Sequence, residues 1–139
     1  MSKTNMLLLL ATAIGAPAYA ENAAPPAIAS GGKPPYTVVD GNRVDPNTLE
    51  GWHTWRALAC DRCHGARQEG STGPSLIDSL QHMTTEQFKS AVLDGRPDKG
   101  MPYYYGSKMV VENIDNLYIY LKGRSDGAIS SGHLYPMGK

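Results

Sequence analysis

The chain has 139 residues, 41% hydrophobic and 19% charged, ordinary proportions that favour a single domain around one core and exclude a multidomain enzyme. Basic and acidic residues balance at 13 each, so no nucleic acid is an expected partner. Two cysteines invite a disulfide reading, against which their close spacing argues.

The first 20 residues read as a targeting segment. Lys3 leads into the apolar run Met6 to Ile14, and Ala18-Tyr19-Ala20 offers the small-x-small pattern that signal peptidase cuts. Residues 1–20 are therefore expected to be a signal peptide, removed before Glu21. The apolar run is about half of the ~20 residues that span a bilayer, so no stable membrane insertion is expected after cleavage. Cleavage removes Lys3 and leaves 12 basic against 13 acidic residues. Electrostatic steering must then come from local groups such as Arg62, Arg67, Lys99 and Lys108, although plain solvated surface is the commoner role for such charges.

Residues 21–35, ENAAPPAIASGGKPP, carry too few large apolar side chains to offset the entropy of ordering and read as a flexible arm. The main domain is expected over residues 36–124. It opens with two short β-prone pieces, Tyr36 to Val39 and Arg43-Val44, around the turn Asp40-Gly41-Asn42, a small hairpin. From Asn47 to Ala59 the pattern turns helical, with Trp52, Trp55 and Ala59 on one face and Thr48 available as a cap. Gly65 to Pro74 is glycine-rich and must be a loop. A second helix is signalled by the capping box Thr84/Gln87 and by Phe88, Ala91 and Val92, and is stopped by Gly95 and Pro97. A third runs from about Val111 to Lys122, with Ile114, Leu117, Tyr118 and Leu121 on one stripe and Gly123 as its stop. The tail, residues 125–139, has no periodicity and is either mobile or wrapped on the surface. Three main helices with loops between them make a mainly α domain.

The first helix delivers Cys60-Asp61-Arg62-Cys63-His64, the CxxCH pattern of c-type haem attachment. Two thiols about one helical turn apart can reach the two vinyl groups on one porphyrin edge, and the next residue then projects over the iron as the proximal ligand. A zinc site would need about four ligands, and His53, His82 and His133 lack that spacing. A thioredoxin-like pair would need a βαβ setting, and a disulfide between such close residues constrains little chain. One covalently bound haem c is the expectation, with His64 as an axial ligand.

Met101 in Gly100-Met101-Pro102 is the candidate sixth ligand, because a thioether favours ferrous iron and Pro102 fixes the backbone beside it. Met83, Met109 and Met137 are competitors whose commoner role is in core or surface, with Met109 next in rank. A ligating histidine usually donates its second ring nitrogen to a carbonyl, and the Pro74 carbonyl, ten residues on, is the proposed acceptor; the alternative is that Pro74 only turns the chain. The tryptophans, Phe88 and most tyrosines read as core around the haem, with one of Tyr103 to Tyr105 a candidate for a propionate hydrogen bond or the haem edge.

Together, a helix leading into CxxCH, the GPxL loop Gly73 to Leu76, the GMP loop Gly100 to Pro102 and a last helix ending LYIYLK (Leu117 to Lys122) resemble the class I cytochromes c, over about Gly51 to Lys122. One departure concerns packing of the first and last helices: the family commonly has an aromatic four residues before the first Cys, where Arg56 stands, with Trp55 one position earlier. Val38 to Asp45 (VVDGNRVD), Ala59 to Gly70 (ACDRCHGARQEG) and Gly95 to Pro102 (GRPDKGMP) are similar to a narrower group. These are the periplasmic cytochromes that accept electrons from pyrroloquinoline-quinone (PQQ) methanol or alcohol dehydrogenases, including lanthanide-dependent ones.

That resemblance implies the class I cytochrome c fold and a periplasmic electron carrier rather than an enzyme. The carrier takes single electrons from a quinoprotein dehydrogenase and passes them to a downstream cytochrome or oxidase. The alternatives are a haem c subunit of another periplasmic oxidoreductase and an open-site haem enzyme or sensor. The latter is disfavoured because no distal His and Arg constellation is recognisable near the ligand loop.

Overall fold

The computed structural model describes residues 32–138. The signal peptide expected at 1–20 and most of the arm expected at 21–35 lie outside the described residues. Two strands, β1 (Val38–Val39) and β2 (Arg43–Val44), pair antiparallel. The turn between them holds Asp40 at φ +52° and Gly41 at φ +74°, the positive angles that a tight hairpin requires and that Asp and Gly adopt most readily.

Helix α1 (Pro46–Ala57) begins immediately after the hairpin. Thr48 was the expected cap, but Asp45 takes that role, with Pro46 preset for the first helical position. The Asp45 carboxylate accepts from the Thr48 amide at 3.0 Å, the Thr48 hydroxyl at 2.7 Å and the Thr37 amide at 2.7 Å. Burial works against its charge, yet these bonds outweigh burial and hold the carboxyl below its ordinary value.

Two one-turn helices follow, α2 (Asp61–His64) and α3 (Leu76–Ser79), separated by the irregular segment predicted from its glycines. Helix α4 (Thr85–Leu93) carries the predicted capping box, with Thr84 and Gln87 bonding each other's backbone amides at 3.2 and 2.9 Å. A 3-10 turn (Pro97–Lys99) leads to α5 (Lys108–Ser125). That helix is longer at both ends than the predicted 111–122. Gly123 does not stop it: its backbone stays helical, and its missing side chain leaves the space that Ile129 and Tyr36 fill.

The tail is ordered over its described residues. Its strand β3 (Tyr135–Pro136) joins β2 in parallel, giving the sheet order β1-β2-β3, while Ile129 and Leu134 are buried. Among the described residues no helix is long and apolar enough to cross a membrane.

The core lies where α1 crosses α5 and α4 packs beside it, with Trp52, Trp55, Phe88, Val92, Val110, Ile114, Leu117, Tyr120 and Leu121 all buried. Gly51 permits the crossing. A Cβ there would run into the Asn116 carbonyl and lie 2.9 Å from the Tyr120 Cβ, with backbone that cannot yield on one side. One turn further along α1, Trp55 fills the space beside Tyr120, with ring centroids 6.5 Å apart. A glycine contact followed by an aromatic thus forms the crossing, with Arg56 at the position where the resemblance leads to an expected aromatic.

Gly51→Ala is expected to destabilise the fold by about 2 kcal/mol. Overpacking at a backbone-lined contact costs about 3 kcal/mol, and the better helix propensity of Ala returns about 1 kcal/mol. Chemical denaturation of the holoprotein reads the change, and an unchanged midpoint refutes the close crossing.

Candidate haem site

Helix α1 ends at Ala57, and the chain turns through Ala59 at φ +50° before α2 begins. The predicted single helix into Cys60 is therefore broken, and the break re-aims the motif relative to α1. Within it, the Cys63 and His64 amides donate to the Cys60 carbonyl at 3.2 and 3.0 Å, so the two cysteines are one helical turn apart. Neither thiol is in a disulfide, and Cys63 is exposed while Cys60 is half-buried. Burial pushes the free Cys60 thiol up to about 11, a property that thioether formation removes.

His64 is buried, and its imidazole is held from two sides. Its Nδ1 lies 2.9 Å from the Pro74 carbonyl, which makes Nδ1 the protonated nitrogen and leaves Nε2 free. Gly73 passes so close that an added Cβ would stand 3.0 Å from Cε1 and 3.1 Å from Nδ1. The loop is laced to the motif itself: the Gly70 amide donates to the His64 carbonyl at 2.7 Å, and the Gly73 amide to the Cys63 carbonyl at 2.8 Å. Trp55 stands beside the ring, with centroids 6.5 Å apart.

Met101 closes a second loop. Its amide and carbonyl both bond Arg96, at 3.0 and 2.9 Å, and the 3-10 turn fills the six-residue ring between them. The Tyr104 and Tyr105 amides then donate to the Leu93 carbonyl at 3.0 and 3.1 Å, anchoring the loop to the end of α4. Met101 is half-buried against the core, whereas Met109 is 47% exposed. Tyr104 lies near both cysteines: its hydroxyl is shifted up first by burial and then by the charges that the Cys60 and Cys63 thiols could carry. Tyr103 and Tyr105 stack on each other at 5.0 Å and are exposed.

These residues fit a covalently held haem. Two thiols are set one turn apart, the next imidazole has one nitrogen engaged and the other free, and Gly73, lacking a Cβ, lets the backbone pass close to that ring. Leu58, Leu76, Leu93, Met101 and Tyr104 supply partly buried apolar surface. Cys60 and Cys63 could form the thioethers, and His64 and Met101 offer a nitrogen and a soft sulfur to iron. Sequence reasoning did not find Gln68, which is almost fully buried at φ +63° in the loop and bonds to Tyr120 and Arg124. Its partners are more than 50 residues away, so no local pattern signals it.

A mainly helical domain with this motif and loop arrangement has the class I cytochrome c fold. The family model described as cytochrome c oxidase, cbb3-type, subunit III, matches residues 46–121, more than half of the chain. Cytochrome c-555 of Methylococcus capsulatus (strain ATCC 33009 / NCIMB 11132 / Bath) is 45% identical over 92 residues, which cover 66% of this chain and 73% of that protein. Cytochrome c-553I of Paracoccus denitrificans is 31% identical over 106 residues, which cover 71% of this chain and 46% of that protein. The crystal structure of c-type cytochrome XoxG from Methylobacterium extorquens AM1 is similar with a TM-score of 0.67 and 29% identity, covering 75% of this chain and 67% of that one. The chain belongs to the c-type cytochrome family; it is an electron carrier, not an enzyme, with covalently bound haem c.

Proposed function

We propose that this cytochrome is a diffusible periplasmic carrier that accepts single electrons from a PQQ-dependent methanol or alcohol dehydrogenase and passes them to a downstream cytochrome or oxidase. In this reading residues 1–20 are the export signal, residues 36–124 form the cytochrome domain, and residues 125–139 are a tail that braces it. When bound, the haem supplies a one-electron couple between ferric and ferrous iron. Cys60 and Cys63 would tether it, and His64, whose Nδ1 donates to the Pro74 carbonyl, and Met101 would be the residues that hold the iron.

The observation that carries the proposal is the asymmetry of the attachment turn. His64 is buried and doubly braced, while Cys63, one residue before it, is open to solvent. A haem tethered there would have its histidine ligand inside the protein and an attachment point near the surface, as a carrier that meets two partners in turn requires. The dehydrogenase as donor is supported by the likeness of Val38 to Asp45, Ala59 to Gly70 and Gly95 to Pro102 to the cytochromes serving such enzymes.

Stopped-flow mixing of the oxidised cytochrome with a PQQ-dependent methanol dehydrogenase and its alcohol is the test. Haem reduction should follow a fast phase that saturates with dehydrogenase concentration. Reduction no faster than with alcohol alone rejects the donor. A fixed subunit of a larger oxidoreductase is a second reading, favoured by the oxidase-subunit description of the matching family model. A persistent complex with an oxidase on size exclusion supports it over the carrier.

A further inference from the structure

The last turn of α5 reaches back across the molecule to the loop behind His64. Arg124 spreads its guanidinium over three acceptors: Nε donates to Gln68 Oε1 at 2.7 Å, one terminal nitrogen to the Arg67 carbonyl at 3.1 Å, and the other to the Ile129 carbonyl. Gln68 in turn donates from Nε2 to the Tyr120 hydroxyl at 3.2 Å. The Gln68 carbonyl accepts from the Leu76 and Ile77 amides at 2.9 and 3.3 Å, on the far side of Pro74. Ser125 closes the other flank: its hydroxyl donates to the Ile77 carbonyl at 2.6 Å, and Gln81 donates to the Ser125 carbonyl and hydroxyl at 2.6 and 2.8 Å.

Both ends of the segment carrying the Pro74 carbonyl are thus gripped by consecutive residues of one helix. Gln68 is 1% exposed and holds a left-handed backbone angle unusual for a side chain of its kind. Such strain persists only where surroundings over-determine it. A planar fork with three engaged nitrogens is a geometric constraint that the point charge of Lys cannot reproduce.

We propose that Arg124, acting through Gln68, is a positioning residue for the axial histidine: it fixes the Pro74 carbonyl against the His64 Nδ1–H and thereby sets the electron donation of the imidazole to iron. A firm hydrogen bond at Nδ1 makes the imidazole a stronger donor, the effect expected of a ligand's outer partner. The inference rests on the assignment of His64 as the iron ligand.

The test uses the holoprotein with three variants, Gln68→Ala, Arg124→Lys and Tyr36→Phe. Tyr36 donates to Asp126 at 3.0 Å at the same end of α5, and among the described residues it has no hydrogen bond to the loop, so its variant reports general loosening of that helix end. Proton NMR reads hydrogen exchange at His64 Nδ1, and spectroelectrochemistry reads the reduction potential.

Gln68→Ala and Arg124→Lys should each speed Nδ1 exchange at least tenfold and shift the potential, while Tyr36→Phe leaves both as in the parent. Arg124→Lys behaving like the parent overturns the proposal, because only the charge would then matter. Equal effects from Tyr36→Phe also overturn it, since any loosening would suffice. If Gln68→Ala does not accumulate, Ser125→Ala, which releases the Ile77 carbonyl, should raise exchange by a smaller factor, and parent-like exchange there refutes the clamp. A parent holoprotein with no His64 Nδ1 signal shifted by the iron instead refutes the ligand assignment beneath it.

Discussion

Replacing Cys60 and Cys63 together with serine is expected to leave no haem on the polypeptide after a denaturing gel. The one-turn spacing set by the Cys60 carbonyl places both thiols for addition to vinyl groups on one edge of the ring, a reaction that a serine hydroxyl does not undergo. Only the coordination proposed for His64 and Met101 would then remain, and unfolding would break it. Each single variant should still retain haem stain, because one thioether suffices to hold it through denaturation. The half-buried Cys60 and the exposed Cys63 differ in what their loss does to the folded state. Cys63→Ser perturbs mainly surface, whereas Cys60→Ser puts a hydroxyl against the core. Haem stain persisting in the double variant defeats the attachment claim.

Met101→Ala should remove the weak sulfur-to-iron absorption band, lower the reduction potential by 0.1 V or more, and open the reduced protein to carbon monoxide. The magnitude follows from the roughly 0.8 V range over which axial ligands set haem potentials, and the sign from the preference of a thioether for ferrous iron. Met101 is the half-buried end of a ring closed by two bonds to Arg96, so its side chain is held by a backbone with little freedom. Met109, the second residue of α5, is fixed in the helix with its side chain 47% exposed, and Met109→Ala should change none of the three readouts. The opposite pattern transfers the ligand to Met109.

The parts legible in the sequence are those whose cause is local. The capping box at Thr84 and Gln87 needs only a three-residue spacing, and the α5 stripe of Ile114, Leu117 and Leu121 needs only helical periodicity. CxxCH is local as well, which is why the haem could be inferred before any packing was known. What was missed depends on residues far apart. β3 is two residues long, too short to show alternation, and pairs with β2 some 90 positions earlier. The cap at Asp45 is the exception, a local Asp-Pro start whose carboxylate also meets the Thr37 amide across the hairpin. The break at Ala59 comes from a positive φ that alanine seldom adopts, and Gly123 reads as a helix stop until Tyr36 and Ile129 are seen to need its space.

The short sheet has a practical consequence. Val38, Val44 and Pro136 share one rung, with β2 between the strand that enters the described domain and the strand that leaves it. Entry and exit are therefore two strand spacings apart, about 10 Å. Immobilising the protein on an electrode through a linker at either side of the domain orients it almost identically, so swapping the point of attachment should leave interfacial electron-transfer rates nearly the same.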